Sequence, residues 1–328
     1  MIAARLRWSV TIFAMVGLLG YQVPCDGAEK TASPIPGVYA GDTVKRFEFD
    51  SGAQLEQLIN DLEYTPEAWK AGVREVPRLY ITDIPPHWRD KASKELDVVT
   101  KKLIFFLLLG PLILHSNELI ETDRARVMMI IDKLRTGASV SPEDLSFLRE
   151  TANVYKVVEG EAGLADRTLH DKLLRRIDTL PLSLVLAQAA EESGWGSSRF
   201  AAEANALFGM WTWGDKGVTP LQQRSGFGNY KIAAYETPLQ SVIAYMHHLN
   251  THQAYGDLRS RRAELRKSGS KVTGWELANT LTKYSERGQA YVDSLLSLMK
   301  VNRLQSVDDA YLGDGPTILL IPVGEGTN

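Results

Sequence analysis

One cysteine, Cys25, is all the thiol chemistry that 328 residues contain. A single thiol closes no intramolecular disulfide and builds no multi-thiolate metal site, so a stapled scaffold and a cysteine cluster are both excluded. Neither sign of charge is in excess: 37 basic against 40 acidic residues leave −3. No global field therefore recruits nucleic acid, and none is expected as a partner. Long apolar runs are lacking too. The two that stand out, Trp8 to Gly20 and Leu103 to Leu114, hold 13 and 12 residues, short of the about 20 that a spanning helix needs. There is no Gly-x-Ser-x-Gly, and Gly256 to Gly274 has no phosphate-cradling pattern, which argues against a serine-hydrolase triad and nucleotide use. Internal repeats and low-complexity tracts are also missing.

What is present is ordinary globular composition, 44% hydrophobic and 23% charged, in a chain long enough for about two domains at roughly 150 residues each. Arg5 and Arg7 precede the uncharged run Trp8 to Gly20, and Pro24, Asp26 and Gly27 follow it. This order of basic, apolar and breaker segments reads as an export signal over 1–27, and the expected compartment is the periplasm. Removing it takes two Arg and one Asp, so the net charge moves from −3 to −4. A lipoprotein anchored at Cys25 is the alternative, against which stands Pro24 where a small residue is expected.

Residues 28–46 hold Pro34, Pro36, Gly37 and Gly41 and read as a flexible lead-in. From 47 to 160 apolar residues recur at helical spacing, as in Leu55, Leu58, Ile59 and Leu62, and again in Val127, Ile130, Ile131 and Leu134, which predicts a helical N-terminal domain. Ser141, Pro142 and Asp144 mark the start of another helix. Leu103 to Leu114, broken by Gly110 and Pro111, reads as a buried core helix with no membrane span. A second unit is expected over 161–305, where four of the seven Trp cluster between 195 and 275. The tail 306–328 reads as a loop followed by a short strand or apolar clasp over Thr317 to Val323.

The segment from Pro181 to Gly196 carries the chemistry. Pro181 suits a first turn and Gly194 the left-handed position beyond the last one, and between them only Ser183 and Gln188 are polar before Glu191. Such a helix is buried nearly all round. Glu192 continues the line of Val185, Gln188 and Ala189, whereas Glu191 continues that of Leu184 and Ala187. A carboxylate at a helix C-terminus faces free carbonyls and, when desolvated, keeps its proton to higher pH. A carboxylic acid held protonated near neutrality can serve as the general acid that cleaves a sugar chain.

Ala187-Gln188-Ala189-Ala190-Glu191-Glu192-Ser193-Gly194-Trp195-Gly196 and then Asn205-Ala206-Leu207-Phe208-Gly209-Met210 resemble the Ala-Gln-x-x-x-Glu-Ser-Gly-Trp-Gly and Asn-x-Leu-Phe-Gly-Ile signatures of glycoside hydrolase family 73. Ala234-Tyr235-Glu236-Thr237-Pro238 with Ser241 is similar to the family's Tyr-x-Ser segment, and Lys283-Tyr284-Ser285 with Tyr291 to its closing Tyr-Ala-x-Asp-x-x-Tyr element. The N-terminal half resembles the helical extension of the Bax-like bacterial members, through Phe105-Phe106 and Asn117-Glu118. The resemblance implies a mainly α fold: a lysozyme-like α domain with a small β-hairpin lobe, preceded by the helical N-terminal domain. It implies an endo-β-N-acetylglucosaminidase acting on peptidoglycan glycan strands, with Glu192 as the acid and Tyr284 orienting the N-acetyl group or the water. Glu191 is an extra acid beside the match.

The family's second acid sits on the hairpin, but between Asp215 and Glu236 this chain has no Asp or Glu. Three readings stay open: Asp215 is the base, the substrate's acetamido group assists, or hydrolysis is slow or absent. A lytic transglycosylase using Glu192 alone and a non-catalytic wall-binding scaffold are the alternatives. Trp211, Trp213, Tyr235, Phe208 and Gln188 are the candidate sugar contacts. His248 and His252 lie four apart but have no third ligand in view, and no metal or cofactor is expected, since the reaction needs only carboxyl and aromatic groups. Arg259, Arg261, Arg262, Arg266, Lys267 and Lys271 read as a solvated helix face.

Overall fold

The computed structural model describes residues 35–37, 43–85, 88–92, 96–158, 160 and 163–324. The segment read as an export signal, Cys25 and most of the segment read as a lead-in lie outside the described residues. The chain runs through strand β1 (Val44–Phe49), helices α1 (Gly52–Asp61) and α2 (Pro66–Lys70), and strands β2 (Glu75–Val76) and β3 (Leu79–Ile81). Helices α3 (Val98–Thr136), α4 (Pro142–Val154), α5 (Arg167–Arg176), α6 (Leu182–Ser193) and α7 (Arg199–Ala204) follow. After them come β4 (Trp211–Thr212), β5 (Gly217–Val218) and β6 (Lys231–Ala233). Helices α8 (Pro238–Thr251), α9 (Gly256–Lys267), α10 (Gly274–Ala278) and α11 (Gln289–Val301) precede the last strands, β7 (Tyr311–Leu312) and β8 (Thr317–Pro322). The protein is mainly helical, at 56% helix, with small sheets.

The long helix α3 starts at Asp97, whose carboxylate accepts from the amides of Val99 and Thr100, and stops at Gly137 with φ 74°. Its apolar run does not break at Pro111 as the sequence suggests: the helix continues for 39 residues, with Pro111 buried inside it. One amide fewer costs the ladder a single bond, while Leu109, Leu112, Ile113 and Leu114 gain a place in the core. By length and composition α3 is apolar enough to cross a membrane, and half of its most apolar window is buried. It packs along α6, α8 and β3. Ser141 caps α4 by accepting from the Asp144 amide at 3.1 Å, as the start signal predicts.

Strands enter the N-terminal half where only helices were expected. The tail segment β8 is apolar on both faces, and it lies between β1 and β3, parallel to both. That is the pattern of an inner parallel strand. Its edge partner β1 carries Lys45, Arg46 and Glu48, charges that blunt an edge. Strand β1 also begins inside the segment read as lead-in, and Ile35 is already buried there. One continuous core cluster contains residues from both halves, from Ile35 to Leu320. The two units of the sequence reading therefore share a core. The lobe of β4, β6 and β5, an antiparallel sheet in that order, stands apart on its own small core of Ala204, Ala206, Trp211, Tyr230 and Ile232.

Candidate active site

Helix α6 runs through the core with its first turn tied down from the far end of the chain. Asp308 accepts from the Ser183 amide and hydroxyl, both at 2.8 Å, and from the Gly274 amide at 3.0 Å. One carboxylate thus caps α6 and α10 together. At its other end the chain reverses through Gly194, Trp195 and Gly196 at φ 57°, 62° and 74°. Three left-handed residues in a row make a sharp turn, and the Ser193 hydroxyl locks it, donating to Ala189 O at 2.6 Å and accepting from the Gly196 amide at 2.8 Å. A side chain at 196 would meet Trp88 and Phe105. Trp195, a non-glycine residue in a costly backbone region, is held by edge contacts to Phe105 and Phe106 and by the bond from Trp88 Nε1 to its carbonyl at 3.0 Å. The motif's Ser-Gly-Trp-Gly thus fixes how α6 ends against the N-terminal half.

Glu192 sits in that last turn and is only 9% exposed. Tyr291, from the first turn of α11, donates its hydroxyl to Glu192 Oε1 at 2.8 Å. Gln188 lies one turn earlier on α6 and donates Nε2 to the same tyrosine oxygen at 3.1 Å, while its own Oε1 accepts from Tyr245. A series of bonds therefore runs Tyr245, Gln188, Tyr291, Glu192, each polarising the next. The other oxygen, Oε2, is buried with no hydrogen-bond partner. Burial pushes the Glu192 pKa up to about 8, opposed by the Tyr291 hydrogen bond, with Glu191 adding to the rise and Arg287 reducing it. A carboxyl group ionised only near pH 8 is largely protonated at neutrality.

Glu191 faces the other way. Its Oε1 accepts from Arg287 Nη1 at 2.7 Å and from Ser294 Oγ at 3.0 Å. Its charge is therefore paired, which limits the like-charge push on Glu192. Arg287 and Ser294 escaped the sequence reading because their partner stands about a hundred positions away and no local pattern announces the pairing.

The remaining predicted residues fall in different places. Tyr284 is fully buried, stacked behind Tyr291 at 5.1 Å, and makes no hydrogen bond of good geometry; the tyrosine that touches the acid is Tyr291. Phe208, expected to face sugar, is fully buried and stacks on Tyr245 at 3.8 Å. Gln188 is likewise internal, supporting Tyr291. Trp211 lies in the lobe core, 5% exposed and stacked on Tyr230 at 4.0 Å, whereas Trp213 is 45% exposed. Tyr235 is partly buried, its hydroxyl 3.6 Å from the Met210 sulfur. Asp215 is exposed between β4 and β5, with its backbone carbonyl bound by Lys231 Nζ at 3.0 Å. Asn205, at φ 50°, ties the motif to the N-terminal half by accepting from the Ile84 amide at 3.0 Å. Ser241 accepts from the Leu207 amide.

The basic run is not a solvated face throughout. Arg262 is fully buried and donates to the carbonyls of Arg175, Asp178 and Thr179, and Arg259 donates to those of Leu249 and His252. Both close off helix ends that lack amide donors. His248 is buried beside His252 at 4.9 Å, and burial first of all pushes its pKa down to about 3. Among the described residues no three His, Cys, Asp or Glu side chains converge as a metal site requires.

The described geometry is a buried carboxyl group at the end of a core helix, hydrogen-bonded by Tyr291 and with its pKa raised by burial. Residues 168–304 match the glucosaminidase family, described as mannosyl-glycoprotein endo-beta-N-acetylglucosaminidase. The chain is also 32% identical over 203 residues to Protein bax of Escherichia coli (strain K12), covering 62% of this chain and 70% of that protein. The chain belongs to this glucosaminidase family, and membership points to glycoside hydrolase activity. No solved structure matches it.

Proposed function

We propose that the protein is an exported peptidoglycan hydrolase that cleaves the β-1,4 bond after N-acetylglucosamine, with Glu192 as general acid. The observation that carries this reading is the environment of Glu192: it is buried, Oε1 accepts from Tyr291, and Oε2 has no partner of its own and is the oxygen left to carry a proton. A glycosidic oxygen reaching Oε2 takes that proton as the C1–O bond breaks, and the bonding pair leaves with the oxygen. Positive charge then develops at C1 next to a carboxylate just formed. Trp213 and Tyr235 on the lobe are the candidate sugar contacts.

A second reading has its own support. The neighbouring carboxylate Glu191 is engaged by Arg287 and Ser294, and Asp215 is exposed on the lobe. An enzyme whose acid has no second carboxylate free at its side can use the one it has twice, as acid and then as base toward the substrate's own hydroxyl, which is lytic transglycosylation. Mass spectrometry of purified peptidoglycan after digestion by residues 29–328, beside Glu192→Gln, separates the readings. Fragments ending in reducing N-acetylglucosamine, absent with the variant, are the expected result. Anhydro-muramic ends would transfer the assignment to the transglycosylase. Intact strands with both proteins, together with glycan binding, would replace catalysis by a wall-binding role.

A further inference from the structure

Glu192 is enclosed in this structure: its second oxygen, Oε2, is buried and unpartnered. No glycosidic oxygen reaches it until something moves. Two features say what moves. The first is the lobe, whose five-residue core is separate from the main core of the molecule, so it can shift without opening that core. The second is the loop Ser285 to Gly288, which joins Tyr284 to α11. Its two central side chains reach in opposite directions. Arg287 turns inward to Glu191 at the end of α6. Glu286 turns to the lobe and pairs with Arg224 Nη1 at 3.2 Å, while the Arg224 guanidinium lies 5.6 Å from the Trp211 ring centroid. The loop is thus a strap with one charged contact on the catalytic helix and the next on the lobe.

We propose that Arg224 and Glu286 form a clasp that holds the lobe against the strap, and that its release admits a glycan strand to Glu192. This gating rests on the peptidoglycan reading above; the clasp itself does not. The pair suits a reversible contact. Its side chains are 28% and 48% exposed, so water and salt compete for both charges and the contact is weak. The strap's far end turns at Gly288, φ 55° and ψ −123°, a conformation that side chains disfavour. The contact of Arg287 with Glu191 is shorter, at 2.7 Å, and its carboxylate is also held by Ser294, so opening means loss of the clasp with Arg287 staying on Glu191. Sequence alone did not reveal this pair, because Arg224 and Glu286 are 62 positions apart.

Hydrogen exchange by mass spectrometry on residues 211–233 tests the clasp without reference to activity, using the wild type, Glu286→Gln, and the charge-reversed double variant Arg224→Glu with Glu286→Arg. Exchange in the lobe is expected to rise about two- to fivefold in Glu286→Gln. It is expected to rise similarly in the wild type at high salt, and to return to the wild-type value in the reversed pair at low salt. Equal exchange in all three proteins overturns the clasp. Digestion of soluble glycan fragments by the same proteins then tests gating: kcat/KM is expected to rise about two- to fivefold with Glu286→Gln and to revert with the reversed pair. A faster lobe with unchanged kcat/KM overturns the gate. A wild type that cleaves nothing, whatever the exchange result, removes the peptidoglycan reading and the gate built on it, and leaves the exchange to decide the clasp.

Discussion

Glu192 combines burial with a single hydrogen bond, and both its chemistry and its cost follow from that. As the proposed general acid, Glu192 acts only while protonated, so the kcat/KM profile for glycan cleavage is expected to fall on the alkaline side with an apparent pKa near 8. Tyr291→Phe removes the hydrogen bond that opposes the shift, so this limb should move to higher pH. Tyr284→Phe should leave the limb where it is, because Tyr284 lies behind Tyr291. A profile that responds to Tyr284 and not to Tyr291 would contradict the geometry. The same carboxyl weakens the fold. In the unfolded chain it ionises near 4.5, in the folded chain near 8, so between those values the unfolded state binds fewer protons and stability falls as pH rises. At pH 7 this amounts to about 3 kcal/mol at most. Glu192→Gln is expected to be more resistant to denaturant than the wild type at pH 7, with the difference vanishing near pH 4, and equal midpoints at both pH values would refute it.

Among the elements, α6 and the strap divide the work. The helix is read easily from sequence, since Pro181, an apolar interior and Gly194 are local signals for a start, a buried run and a stop. Its function depends on where the last turn points, and that is set by Trp195 wedged against Phe105 and Phe106. The strap depends on Gly288, where nothing lies close enough to clash with an added Cβ. Gly288→Ala therefore tests the backbone alone. It is expected to cost about 1–3 kcal/mol in thermal or chemical unfolding and to displace Tyr291 from Glu192, lowering kcat more than it raises KM. A neutral result would mean that the strap has another conformation of similar energy.

For the molecule as a whole, the end of the chain is part of its middle. Strand β8 is the inner strand of the parallel sheet, with Ile318, Leu319 and Leu320 buried. Removal of residues 313–328 leaves β1 and β3 without their partner and exposes the core beneath. The expected outcome is loss of cooperative unfolding, or insoluble protein, read by circular dichroism melts and by the soluble fraction on expression. A truncated chain that melts like the full one would show that the N-terminal half is stable without β8. The shared core also joins the N-terminal half to the helix that carries Glu192, because α3 packs on α6 and α8.

The sequence by itself determined what is local. The helix start at Ser141, the stop at Gly194, the amphipathic stripes and the burial of α6 could be read from it, because capping and periodicity act within a few residues. That a carboxyl group at the end of this helix is desolvated was legible for the same reason, whereas the choice of Glu192 over Glu191 came from the family resemblance. Tertiary structure alone decided which tyrosine reaches the acid, that Phe208 and Trp211 are inside, that β8 lies between β1 and β3, and that Arg287 and Arg224 take up Glu191 and Glu286. Each of these joins parts of the chain that are distant in sequence. Such pairings are chosen by how helices and strands fill one core, and neither the spacing nor the propensity of either partner specifies the other.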